Sequence, residues 1–282
     1  MSSSEAIPQC LHKYLGKPDP RVKEWFLLNS PINLIIIYSV YFTFLICGSK
    51  FMKNKNPLGL RKILVAYNFF QIVFSAYICK EICVSAYSLQ HSLICTPLNT
   101  ANNLSTLRLA KAFWIYYLSK AIDLIDTMFF VLRKKESQLT FLHIYHHTSM
   151  LFNWYIGVLY VPGGQATVSV GLNSFVHVIM YTYYMLSAMG PQVKKYLWWK
   201  KYLTQLQMIQ FVLLIVHLVI GYRKGCHKPP WLVYFTVTYL FTMVFLFLKY
   251  YMHTYQIFYG GKKPAGVDTK AGGDTRHANK IK

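Results

Sequence analysis

The chain has 282 residues, 54% of them hydrophobic and only 14% charged, with a formal net charge of +21. A soluble globular chain carries roughly a quarter charged residues, so the composition argues against a soluble fold and for a polytopic membrane protein. The basic residues fall in short blocks between apolar segments. That pattern belongs to membrane topology and not to a nucleic-acid-binding surface, and no nucleic-acid partner is expected. Such blocks also suit a polyanionic soluble substrate approaching one membrane face.

An apolar, nearly charge-free stretch of about 20 residues reads as one membrane-spanning helix. Residues 1–30 form a polar lead with Lys13, Arg21 and Lys23 and without the pattern of a signal peptide. The first predicted span is Pro31 to Ser49 and the second about Ile63 to Tyr87. A polar segment, Ser88 to Leu107, precedes a third span at about Leu109 to Leu132, which Lys111, Lys120, Asp123 and Asp126 interrupt. The longest uncharged run, Ser137 to Val193, supplies two helices, about Leu139 to Tyr160 and Thr167 to Ala188. They are split at Val161-Pro162-Gly163-Gly164, where Pro and Gly make a tight turn. The last two spans are about Tyr202 to Tyr222 and Trp231 to Tyr251. The expected fold is therefore an all-α membrane protein of seven transmembrane helices. The domain occupies residues 31–255, and a basic tail, residues 256–282, is too polar to order itself.

Lys and Arg in the short loops set the orientation. Lys50, Lys53, Lys55, Arg61 and Lys62, then Arg133, Lys134 and Lys135, then Lys194, Lys195, Lys200 and Lys201 share one side with the tail. The positive-inside rule places that side in the cytosol, so the N-terminus is expected to be lumenal and the C-terminus cytosolic. Six cysteines occur singly, at 10, 47, 79, 83, 95 and 226, with no CxxC. Cys95 and Cys226 both fall in lumenal loops, where an oxidising compartment permits a disulfide. Asn103-Leu104-Ser105 is a lumenal glycosylation sequon close to the membrane.

Ionisable groups inside a membrane helix are functional candidates by default, and four clusters qualify. In Lys120-Ala121-Ile122-Asp123-Leu124-Ile125-Asp126-Thr127, helical spacing puts Lys120, Asp123 and Thr127 on one face with Asp126 at its edge. In Phe141-Leu142-His143-Ile144-Tyr145-His146-His147, the three histidines at i, i+3 and i+4 lie within about 100° of one face. Asn173, His177, Met180 and Tyr184 share a third face, and Gln207 and Gln210 a fourth. Together they describe a polar chamber opening toward a basic rim.

Three chemistries compete for it. Imidazoles at this spacing can ligate one metal ion, as in a single-metal hydrolase. A di-iron oxygenase needs further histidine boxes, and no HxxxH outside this box and no second HxxHH occurs. Metal-free chemistry fits better, with a neutral imidazole attacking a thioester while its neighbours act as acid, base or oxyanion donor. No serine or cysteine in these motifs has a base at a plausible spacing. A seven-helix receptor or proton-coupled transporter would explain buried Lys and Asp, but it gives no reason for HxxHH, and no internal repeat is visible.

Lys120-x-x-Asp123-x-x-Asp126-Thr127, His143-x-x-His146-His147, Asn173-x-x-x-His177-x-x-Met180-Tyr181 and Thr204-x-x-Gln207-x-x-Gln210 occur in series. This series resembles the ELO family of very-long-chain fatty acid elongases over about residues 20 to 255. The resemblance implies a 3-oxoacyl-CoA synthase of the endoplasmic reticulum membrane that condenses acyl-CoA with malonyl-CoA and needs no cofactor or metal. It implies six of the seven helices forming a barrel around an acyl-chain tunnel, and a ping-pong course through an acylated histidine, here His146. His177 would promote malonyl decarboxylation and condensation. His143 and His147 would transfer protons and orient, Asp126 would orient an imidazole, and Asn173 would complete the catalytic set. Lys120, Asp123, Arg133, Lys135, Gln138, Tyr183, Lys200, Thr204 and Gln207 are the expected substrate-binding residues. Membrane lipid, other enzymes of the elongation cycle and a second copy of the chain are the expected partners. Two departures stand out: Asp123 replaces the family's usual Glu, and Asn279-Lys280-Ile281-Lys282 is not a clean dilysine retrieval signal.

Overall fold

The computed structural model describes residues 17–226 and 230–255, and the tail with its C-terminal lysines lies outside them. The described residues are all-helical with no strand. Helix α1, Pro31–Met52, starts where the Ser30 side chain accepts from the Ile32 amide and Pro31 fills the first turn. It loosens to a π-helical turn at Phe44–Gly48. Helix α2 is Arg61–Ser88. The Asn103 side chain and Thr106 form a capping box that starts α3, Leu104–Asp123, five residues before the expected position.

The third apolar stretch is not one continuous helix. It is interrupted at Leu124, where the Thr127 amide bonds the Leu124 carbonyl at i−3 (3.2 Å), and it resumes as α4, Ile125–Leu132. No proline or glycine lies there; Asp123 and Asp126, the buried acids, flank the interruption. Helix α5, Phe141–Tyr160, opens with the Thr140 hydroxyl accepting from the His143 amide, and α6 spans Ala166–Ala188. Helices α7, Lys200–Arg223, and α8, Pro230–Tyr255, complete the described residues.

Four of these helices, α1, α2, α7 and α8, are long and apolar enough to cross a membrane. The helices carrying the acid and histidine clusters are not among the four. The burial pattern is inverted relative to a soluble protein. Ile35, Ile36, Phe69, Phe70, Leu213, Val216, Phe241 and Phe245 point outward. Asn68, Gln71, Lys120, Asp123, Asn173, His177 and Gln210 are buried. In lipid an apolar exterior costs nothing, whereas polar groups must find partners inside. The chain is a multi-pass membrane protein.

Around the bundle, α3 packs on α2 and α5, α2 on α6, α6 on α7, and α7 on α8, which returns to α5. Helix α1 lies against this ring through Tyr38, whose hydroxyl donates to the Thr148 carbonyl (2.6 Å), and through its π turn, which packs on α4. One end of the bundle gathers the 53–61 connection, Leu132 to Lys134 and Met189: Lys134 Nζ donates to the carbonyls of Lys53 and Lys55, and Arg61 to that of Met189.

The other end is tied by the disulfide between Cys95 and Cys226, whose Cα atoms lie 5.5 Å apart. Beside it the buried Gln165 side chain accepts from the Thr96 amide (2.9 Å) and donates to the Ile94 carbonyl (2.8 Å). Gly164, at φ +57°, completes this closure. A Cβ there would meet the Leu98 backbone at 3.0 Å.

Candidate active site

The site is built on the narrow polar face of α3 and α4. Lys120 and Asp123, one turn apart and both 3% exposed, form an ion pair of 3.1 Å. A buried pair is stable only when its remaining hydrogen-bonding capacity is met, and two other helices meet it. From α6, Asn173 Oδ1 accepts from Lys120 Nζ (3.3 Å) and from the Tyr116 hydroxyl (2.6 Å). From α2, Gln71 Nε2 donates to Asp123 Oδ1 (2.8 Å). Tyr181 of α6 shares its one hydroxyl proton between Asp123 Oδ1 (2.9 Å) and Asp126 Oδ2 (3.0 Å). The Lys120 ammonium also sits 4.5 Å from the Tyr116 ring centroid, a cation–π contact.

The histidines face this network. His177 turns Nδ1 toward Asp123 Oδ2 at 4.0 Å, beyond hydrogen-bonding distance. On α5, the His143 and His147 rings lie 4.3 Å apart and those of His146 and His147 5.5 Å, as the i, i+3, i+4 spacing requires. His143 Nε2 is 2.9 Å from Thr127 Oγ1. His146 Nδ1 is 3.4 Å from Met243 Sδ of α8. A thioether sulfur has no proton to give, so Nδ1 must be the donor. The neutral His146 ring then carries its lone pair on Nε2.

The structure thus brings Lys120, Asp123, Asp126, Asn173 and the four histidines into one cluster. Asp126, expected beside an imidazole, instead accepts from Tyr181. Lys120 lies thirteen residues from Arg133, about 20 Å by helical rise. Its ammonium is engaged at the centre of the network and does not stand on the rim. Arg133, partly buried, and the exposed Lys135, Gln138 and Lys200 lie at or beyond the helix ends. Tyr183 packs edge-on against Trp199 (5.0 Å), Thr204 is buried at the start of α7, and Gln207 Nε2 contacts Met180 Sδ at 3.5 Å. Among the described residues, no group of three or more His, Cys, Asp or Glu is arranged to hold a metal ion.

Sequence reasoning missed Gln71, Tyr116, Met243 and Tyr41 of α1, whose hydroxyl lies 3.0 Å from Thr127 Oγ1. For Gln71 a signal existed: Asn68, Gln71 and Ser75 recur at i, i+3 and i+7 in an apolar helix, and all three are buried. The other three carried none, because aromatic and sulfur side chains in an apolar run read as packing.

Comparison with known proteins points the same way. The family model described as "ELO: GNS1/SUR4 family" matches residues 26–263. The chain is 42% identical over 255 residues to very long chain fatty acid elongase 4 of Homo sapiens, covering 90% of this chain and 80% of that one. It is 43% identical over 254 residues to very long chain fatty acid elongase 2 of Mus musculus, covering 90% and 85%. It is also 43% identical over 245 residues to very long chain fatty acid elongase 7 of Rattus norvegicus, covering 86% and 87%.

Proposed function

Because the chain belongs to the ELO family, we propose that it is a fatty acid elongation enzyme of the endoplasmic reticulum membrane and catalyses the condensing step. Acyl-CoA and malonyl-CoA would give a 3-oxoacyl-CoA two carbons longer, with release of CoA and carbon dioxide. The observation that carries the mechanism is the His146–Met243 contact, which holds the imidazole proton on Nδ1 and leaves Nε2 nucleophilic.

In this reading Nε2 of His146 attacks the thioester carbonyl carbon and the C–S bond breaks. The charges balance: the neutral ring becomes an acyl-imidazolium as CoA leaves as a thiolate, which takes a proton from solution. Malonyl-CoA then loses carbon dioxide, and the electron pair of that bond becomes an enolate. Its α-carbon attacks the acyl carbon, and the breaking C–N bond returns its electrons to Nε2. Asn173 is oriented by Tyr116 and Lys120, both donating to its Oδ1. Its Nδ2 is thereby free to donate to a developing oxyanion. His177, its Nδ1 4.0 Å from Asp123 Oδ2, would stabilise the enolate, and His147 would supply proton transfer and orientation.

The acyl chain would lie in a tunnel inside the ring of six helices, closed at the disulfide end, with seven helices crossing the membrane in all. Arg133, Lys135 and Lys200 would meet the CoA phosphates at the open, cytosolic end, with Gln138, Tyr183, Thr204 and Gln207 lining the approach. The N-terminus would be lumenal and the C-terminus cytosolic. Lys120 and Asp123 would act by positioning Asn173 and His177, and no metal or cofactor would take part.

Intact mass of the purified protein after incubation with an acyl-CoA alone tests this reading. A gain of one acyl group, absent in His146→Ala, is expected. An adduct that persists in His146→Ala would move the nucleophile elsewhere, and no adduct at any chain length would replace the ping-pong course with a concerted one.

A further inference from the structure

Tyr41 belongs to α1, outside the ring, yet it is only 2% exposed and its hydroxyl lies 3.0 Å from Thr127 Oγ1. Thr127 in turn lies 2.9 Å from His143 Nε2. The three groups form a chain of hydrogen bonds from the lipid-side helix to the histidine cluster, and proton counting gives it a direction. Tyr41 has one hydroxyl proton, and among the described residues its only acceptor is Thr127 Oγ1. A buried hydroxyl proton left without an acceptor is costly. Tyr41 therefore donates to Thr127, and the threonine proton is left to donate to His143 Nε2. In the reverse direction Nε2–H donates to Thr127, Thr127 donates to Tyr41, and the phenol proton is stranded; were Thr127 Oγ1 to accept from both neighbours, its own proton would have no acceptor among the described residues.

From this geometry we infer that Tyr41 and Thr127 are positioning residues that lock His143 in its Nδ1–H tautomer with Nε2 capped. His143 then cannot take up a proton or an acyl group at Nε2 while the chain is intact. Held neutral and fixed, it packs against His147 at 4.3 Å and presents a donor, not a base, at Nδ1. The inference rests on the histidine cluster being the catalytic centre. It adds that His143 and His146 share the Nδ1–H tautomer but differ in the Nε2 lone pair, with neighbours from different helices setting each one: Thr127 occupies that of His143, and Met243, by taking the Nδ1 proton, leaves that of His146 free.

The test is a set of variants read in two ways. In ¹⁵N spectra of protein labelled in histidine, His143, assigned by its loss in His143→Gln, should show an unprotonated, hydrogen-bonded Nε2. Thr127→Val should abolish that signature and Thr127→Ser should restore it. In steady-state assays Tyr41→Phe and Thr127→Val should each lower kcat about 3- to 10-fold with KM for acyl-CoA unchanged, the worth of roughly one hydrogen bond. Tyr41→Phe should add nothing in the Thr127→Val background, and Thr127→Ser should be near the parent. A protonated Nε2 on His143, or additive effects of the two variants, would overturn the inference. The spectroscopic arm does not depend on the condensing activity, so its failure is distinguishable from failure of the acyl-histidine reading.

Discussion

His146 and Met243 are 97 residues apart in the chain, on α5 and α8, and the histidine Nδ1 meets the methionine Sδ at 3.4 Å. The contact closes the seam between these two helices at the centre of the polar cluster. Its chemical content is one-directional, because only the ring nitrogen can donate.

Met243→Leu keeps the volume and removes the acceptor. Acyl-enzyme formation, followed by rapid-quench mass spectrometry, is expected to slow about 2- to 10-fold, in proportion to a weak sulfur contact. Thermal stability should change little, since Leu and Met are close in volume. An unchanged rate would mean that the sulfur does not set the tautomer.

Lys120 and Asp123 are expected to be strongly coupled. Lys120→Met alone leaves Asp123 buried without its cation and should destabilise the protein by about 3–5 kcal/mol. The double variant Lys120→Met/Asp123→Asn should recover most of that loss in thermal unfolding of the detergent-solubilised protein. Activity should not recover with it, because Asn173 has lost a donor that orients it. Recovery of both would reduce the ion pair to a packing device.

Arg133→Ala and Lys200→Ala should raise KM for acyl-CoA by about threefold to tenfold with kcat nearly constant. The difference from the parent should shrink as ionic strength rises, more for the exposed Lys200 than for the partly buried Arg133. A salt-independent effect would point to local structure instead of attraction of the CoA phosphates.

Cys95→Ser should lower stability by about 2–5 kcal/mol, because the disulfide joins residues 131 apart in the chain. Gly164→Ala should cost about 1–3 kcal/mol through its left-handed backbone and the Leu98 contact, while Gly59→Ala, whose Cβ meets nothing, should be neutral. Thermal melts of the three variants beside the parent check both expectations.

Much of this molecule is legible from local pattern. Apolar runs of membrane length marked the helical stretches, and Val161-Pro162-Gly163-Gly164 marked the turn between α5 and α6. Helical periodicity placed the three α5 histidines together and Lys120 with Asp123, because those relationships repeat within one or two turns. The break at Leu124 and the early start of α3 were not foreseen. The first falls between two buried acids that both accept from Tyr181 of another helix, a partner chain spacing does not reveal, and the second rests on a capping box in a segment read as loop.

What the sequence by itself determined is the membrane character, the order of the helices and the chemical inventory of the site. Each is carried by composition or by spacing along one helix. The tertiary structure alone decided the proton arrangement, with Met243 on His146, Thr127 and Tyr41 on His143, and Tyr181 between two carboxylates. Hydrogen-bond direction depends on which atom of a distant helix arrives within about 3 Å, and chain spacing holds no record of that distance.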